Sequence, residues 1–223
     1  MRVRAFMAGT ATVAMLAGCG GLEAQSTGGG KSTKADSASI SDAKKKLGKL
    51  TVKGRAPKTG FDRDEFGTPW SDVDHNGCDT RNDILKRDME DETFKSGTHD
   101  CIVLTGTLHD PYSGKTIKFE RGQNTSTAVQ IDHVIPLSDA WQKGAAKWSE
   151  TKRKEFANDP LNLMAVDGPL NGQKSDSDAA TWLPPRKAYR CTYIAKQIDV
   201  KSKYEVWLTS AEKTAMEGIL DNC

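Results

Sequence analysis

The chain has 223 residues, 36% of them hydrophobic and 28% charged, with a formal net charge of +2. That length allows one domain, or one domain with an appendage. The near balance of charge is by itself no pointer to nucleic acid, and past the N-terminus no apolar run is long enough to cross a bilayer.

Arg2 and Arg4 precede a modest apolar run from Ala5 to Leu16, followed by Leu16-Ala17-Gly18-Cys19. This is the layout of an export signal, too short to span a membrane in the mature protein. The Leu-Ala-Gly-Cys ending resembles the bacterial lipoprotein box, which implies a signal over residues 1–18 and a lipid on Cys19. An ordinary signal cut near Ala24 is the alternative. A multiply acylated Cys19 would hold the protein on the outer side of a membrane, since single chains bind only marginally. Residues 1–18 carry two Arg and no acid, so their loss leaves 30 basic against 30 acidic residues. Residues 19–38 are rich in Gly, Ser and Thr, a composition that cannot bury enough surface to order itself, and are expected to form a tether. Residues 39–223 then form the folded domain.

Within it, Ser41 or Asp42 can cap a short basic helix through Leu47, and residues 54–60 read as loop. A helix is expected from about Arg81 to Asp88, with Ile84, Leu85 and Met89 on one face. Cys101–Leu108 and Thr116–Phe119, joined by the turn Asp110-Pro111-Tyr112-Ser113-Gly114, predict a hairpin. Val129–Val134 is a strand ended by Pro136. Ser138 and Asp139 can cap a helix through Lys147, and a second helix is expected from Ser149 to Ala157. Leu163–Val166 is a short strand, and Gly168-Pro169 opens a helix carrying Asn171 and Lys174. Pro184-Pro185 starts a longer helix through about Gln197, and the capping box of Thr209 and Glu212 opens the last, towards Leu220. The fold class is α+β, helix-rich, with a small antiparallel sheet. Trp141, Trp148, Trp182 and Trp207 could stack on bases, but core packing is the favoured expectation.

Besides Cys19, the chain holds Cys78, Cys101, Cys191 and Cys223, an even number in an exported protein, where disulfides are the default. Three pairings are open, and Cys78–Cys101 with Cys191–Cys223 is favoured. Asp72, Asp74, Asn76 and Gly77, with Asp83 at the twelfth place, follow the spacing of a calcium loop. The stronger expectation there is a polar turn whose acids cap the next helix.

The most informative residues are Asp132-His133, Asn162 and Asn171-Gly172-Gln173-Lys174. Asn162 follows His133 by 29 positions and Asn171 follows Asn162 by nine. Cleaving a phosphodiester needs a base to deprotonate water and oxygen ligands to hold a hard cation on the phosphate. His133 is the candidate base, and Asp132 and Asn171 are the candidate ligands of one divalent ion. Lys174, three residues after Asn171, is a candidate phosphate holder. Asn162 is expected to bridge the backbone of the two strand ends. Because neighbours in a regular strand face opposite ways, Asp132 and His133 can share a phosphate only where the strand twists out of regular pairing. Residues 143–203 hold 12 Lys and Arg against 7 acids, whereas residues 59–142 hold 8 against 16. A basic stretch after the motif suits phosphate attraction, though a solvated helical face produces the same pattern.

This arrangement resembles the HNH endonuclease motif, including its nine-residue spacing to the last ligand and the x-x-Lys that follows. The likeness extends from about Gly54 to Cys223, on Asp79–Leu85, Val129–Ala145 and Asp159–Pro185. Over that range the chain resembles the secreted HNH proteins of actinobacteria, relatives of the C-terminal nuclease domain of GmrSD restriction enzymes. The resemblance implies a ββα-metal core ringed by helices and metal-dependent hydrolysis of nucleic acid, with DNA favoured over RNA. Asn171 stands where many HNH proteins have His, which shifts the expected ion towards Mg²⁺ or Mn²⁺. No protein partner is implied. The competing expectation is a non-catalytic, nucleic-acid-binding module at the cell surface on the same scaffold.

Overall fold

The computed structural model describes residues 37–223. The expected signal over residues 1–18, the lipidation point Cys19 and nearly all of the tether lie outside the described residues. Helix α1 (Ser37–Leu47) begins four residues before Ser41, because its buried stripe of Ile40, Ala43 and Leu47 needs a turn ahead of Ile40. Helix α2 (Thr80–Asp88) starts at Asp79, whose carboxylate accepts from the Asn82 N–H at 2.8 Å.

Strands β1 (Met89–Phe94), β2 (Val103–His109) and β3 (Thr116–Glu120) form an antiparallel sheet in that order. The β2–β3 hairpin is the expected one. Strand β1 was not expected, because Glu90-Asp91-Glu92 has no alternation of apolar and polar residues. It survives as a charged edge strand whose register slips around Asp91, where φ is 54°.

Strands β4 (Val129–His133) and β5 (Leu163–Asp167) form a separate antiparallel ribbon, with Asp132 opposite Met164 and His133 opposite Leu163. Their 29-residue connection is itself folded, carrying helices α3 (Leu137–Gln142) and α4 (Glu150–Asn158). Helix α5 (Gly168–Lys174) follows β5 directly, with Asp167 accepting from the Leu170 N–H, and packs on both strands. Both faces of the ribbon are buried. Val129, Ile131, Leu163 and Ala165 join α2 and β2, while Val134, Met164 and Val166 join α1 and the last two helices, α6 (Arg190–Tyr204) and α7 (Ser210–Leu220). That accounts for the unbroken apolar run of β5.

Helix α6 runs later than expected. Pro184 and Pro185 stay outside it, and Ile198, Val200 and Tyr204 keep its apolar face buried as far as Glu205, a left-handed C-cap with φ 60°. Helix α7 opens on the expected Thr209–Glu212 capping box. Helix α3 stops at Gln142 instead of Lys147, and Ser138 and Asp139 lie inside it, buried, rather than capping it. Asp139 is drawn inward by charge. Lys143 pairs with Asp139, Asp178 and Glu212 at 2.7–2.9 Å. Lys201 pairs with Glu212 at 2.8 Å, and Arg55 with Asp139 and Asp178. Three cations thus balance three anions, Lys143 and Lys201 from the interior and Arg55 from the surface, although Asp139 takes its partners without aligned hydrogen bonds.

The disulfides are Cys78–Cys101 and Cys191–Cys223, the favoured pairing. The loop of Asp72 and Asp74 closes on itself. Asp72 accepts from the Gly77 N–H, and the Asn76 amide donates to Asp74 and Asp83.

Candidate active site

The sequence between β4 and β5 makes a rigid exit for the first strand. The Val134 N–H donates to the Asn162 carbonyl at 2.8 Å, and the Ile135 N–H donates to Asn162 Oδ1 at 2.9 Å. Asn162 is fully buried, and its amide bridges to the backbone of Ile135, the bridging expected of it. Strand β4 keeps regular register through its last residue, contrary to the expected twist. Asp132 and His133 therefore lead to different neighbours, and they meet again only because a pocket lies at the strand end.

His133 Nε2 lies 2.8 Å from the Ala157 carbonyl. A carbonyl can only accept, so Nε2 carries the hydrogen and Nδ1 keeps its lone pair. Burial lowers the imidazole pKa to about 4. The nearby charges of Arg63 and Lys174 act the same way, and the Ala157 bond opposes them. The ring is therefore neutral at physiological pH. Ala157 belongs to the last turn of α4, where carbonyls lack an intrahelical partner, which is why one is free to orient the ring. Over the imidazole, nearly parallel at 16° with centroids 6.1 Å apart, lies Trp70. Its backbone is held at φ 57°, a conformation a bulky residue adopts only when its surroundings impose it.

Asp132 is buried. It accepts from the Tyr112 hydroxyl at Oδ2 and from the Lys174 ammonium at Oδ1, 2.8 Å away. Burial raises its carboxyl pKa, against the pull of Lys174 and Tyr112. Lys174 corrects an expectation. Its ammonium is wholly enclosed and donates to Asp132 and to the His133 carbonyl, so it faces inward and is not presented to a phosphate. An enclosed ammonium needs a carboxylate nearby, and Asp132 is the one α5 packs against.

Asn171 donates through Nδ2 to Gln130 Oε1 at 2.8 Å, and its Oδ1 accepts no hydrogen bond among the described residues. Asp132, His133, Asn171 and Asp176 line one polar pocket of about 140 Å³, together with Arg63. The exposed Arg63 guanidinium has no hydrogen bond or ion pair among the described residues. It stands on the short 3₁₀ turn Arg63–Phe66, capped by Asp62. A second pocket, of about 220 Å³ and largely apolar, lies against the same histidine and includes Trp70, Arg63 and Ala157. Among the described residues no three His, Cys, Asp or Glu side chains converge in the manner of a metal cage. The side-chain oxygens at this pocket are those of two carboxylates, Asp132 and Asp176, the Asn171 amide and the Ser175 hydroxyl.

The family described as GmrSD restriction endonucleases, C-terminal domain, matches residues 79–219. The chain belongs to that family. As a GmrSD C-terminal-domain protein it is nuclease-related, and the matched range takes in β4, β5, α5 and the whole connection between the strands. It starts after Arg63 and Trp70, which the family pattern therefore does not mark. The chain is also 38% identical, over 187 residues, to an uncharacterized secreted protein of the fungus Arthroderma benhamiae, covering 83% of this chain and 86% of that protein. No solved structure matches it.

Proposed function

We propose that this GmrSD C-terminal-domain protein is an exported, metal-dependent endonuclease of HNH type, with β4, β5 and α5 as its ββα core and DNA favoured over RNA as substrate. The observation carrying this is the state of His133: neutral, with its Nε2–H held by Ala157 and its Nδ1 lone pair free beside a polar pocket. An imidazole so arranged is a general base. It takes a proton from water at Nδ1 and leaves the hydroxide directed at phosphorus. Asn162 acts through the backbone as a positioning residue, and the unengaged Arg63 replaces Lys174 as the group that meets phosphate charge.

Asp132, Asn171 and Asp176 offer the oxygen donors that suit Mg²⁺ or Mn²⁺. The Asn171 Oδ1 is the unengaged one. Each carboxylate would share its charge with a lysine, Asp132 with Lys174 and Asp176 with Lys58. When bound, such an ion polarises the phosphate and stabilises the departing oxygen. The fungal relative's description as secreted, the paired cysteines and the N-terminal sequence support action outside the cytoplasm. Attachment through a lipid on Cys19 is part of the same proposal.

A second reading, a nucleic-acid-binding module without turnover, draws on the Lys174–Asp132 pair, which sets a fixed ammonium on one of the three candidate ligands. Plasmid digestion separates the two. The wild-type protein with Mg²⁺ or Mn²⁺ should cut, EDTA should stop it, and His133→Ala should lower the rate by about a hundredfold or more while the circular dichroism stays unchanged. Binding without cutting across several metals would favour the module. A His133→Ala protein as fast as wild type would remove the base.

A further inference from the structure

His133 separates two pockets of different character, and only the polar one is used by the chemistry above. The other is built for a flat, mostly apolar group. Its walls include Phe66, Trp70 and Leu137, and its volume of about 220 Å³ is room for a single heterocycle. The wall also carries Asn158, which is buried to 1% exposure. Its Nδ2 donates to the Lys154 carbonyl, which fixes the amide, and its Oδ1 is buried with no hydrogen-bond partner. A buried acceptor left unpaired is costly, and a ligand N–H that reached it would relieve that cost. Arg63, His133 and Leu137 line both pockets. A molecule filling the two together carries an anionic group joined to a planar ring with N–H donors, and a nucleotide has that form.

We propose, building on the nuclease reading, that this cavity is a nucleobase subsite for a nucleotide adjoining the scissile phosphate. The base lies among Phe66, Trp70 and Leu137 and against Asn158, while its phosphate reaches the polar pocket past Arg63. A base inside a duplex cannot enter such a cavity without leaving its stack. The substrate class is therefore single-stranded nucleic acid, or duplex ends and distortions where a base is already unstacked.

The test uses the full-length protein with Mn²⁺ and labelled single-stranded oligonucleotides of one sequence. One strand is intact, and the others each carry a single tetrahydrofuran spacer, which keeps the backbone and removes one base. With the wild-type protein, one of the two bonds flanking the spacer should be cut about tenfold or more slowly than in the intact strand, the worth of one stacked base. In Trp70→Ala that ratio should shrink to about threefold or less, by loss of rate on the intact strand. Should both flanking bonds be cut at the intact rate by the wild type, the subsite is overturned while the nuclease reading stands. A wild type that cuts no intact strand with Mn²⁺ or Mg²⁺ overturns the nuclease reading itself, and the subsite with it. The wild-type comparison needs no variant to fold, and an undiminished ratio in a folded Trp70→Ala protein overturns the stacking.

Discussion

Two places in this protein enclose lysines against carboxylates, and they differ in what is left over. Around Lys143, three cations meet three anions, and Lys143, Lys201 and Glu212 are wholly enclosed. Around Lys174 the pairing with Asp132 is as close, but it borders a polar pocket where His133 Nδ1, Asn171 Oδ1 and the Arg63 guanidinium have no hydrogen-bond partners among the described residues. Buried charge alone therefore does not mark a site. Groups that stay unengaged beside it do, because a fold seldom leaves polar atoms unsatisfied without a ligand or water to meet them.

The largest stability effect should come from Lys143→Met, which leaves three buried carboxylates with only Arg55 and Lys201 to balance them. Unfolding by urea should show a loss of about 3–5 kcal/mol, with the cutting rate per folded molecule unchanged. If that variant were as stable as wild type, the first network would not be a structural one. Next comes Arg63→Ala, the mirror case. The residue is exposed and unpaired, so stability should stay within about 0.5 kcal/mol. Cleavage kcat/KM should fall about tenfold to a hundredfold, the worth of one hydrogen bond to a charged group. The smallest effect concerns acid. Burial alone would raise the Asp178 carboxyl, but Lys143, Arg55 and Thr181 hold it below the usual value of 3.8. Asp159 is likewise held low against its burial, by Lys203, Tyr204 and the Leu161 N–H. Their folded pKa values lie below the unfolded ones, so the unfolded chain binds more protons in that window. Their contribution is complete above the ordinary carboxylate range and is lost as pH falls through the lowered values. Denaturation midpoints should therefore fall on acidification in two stages, first below about pH 6.5, where the unfolded chain protonates His133 and the folded one does not, and again as Asp159 and Asp178 protonate. A midpoint that rose on acidification would contradict the pairing of Asp159 and Asp178.

The spacing of His133, Asn162 and Asn171 was legible because a strand, a strand and a helix are local elements, and each carries its own residue to a fixed place. The role of Asn162 and the disulfide pairing could be read the same way. Arg63, Trp70 and the Ala157 carbonyl could not, since they reach His133 across the fold from segments with no motif, and a backbone carbonyl leaves no trace in a sequence. The inward turn of Lys174 is not legible for a related reason. Its helix turn was placed correctly, but whether a lysine faces solvent or a carboxylate depends on what packs against that turn. Strand β1 was hidden by its acids, which stability tolerates only because the strand lies at an edge.

The position of Ala157 has a consequence for the reaction coordinate. Helix α4 ends at Asn158, so the carbonyl touching the imidazole belongs to the partially negative pole of a nine-residue helix. As the ring gains a proton it becomes a cation, and that pole is already aligned to receive it, with no reorientation during the step. Fraying that terminus would slow proton uptake even though no group in contact with water or phosphate had changed.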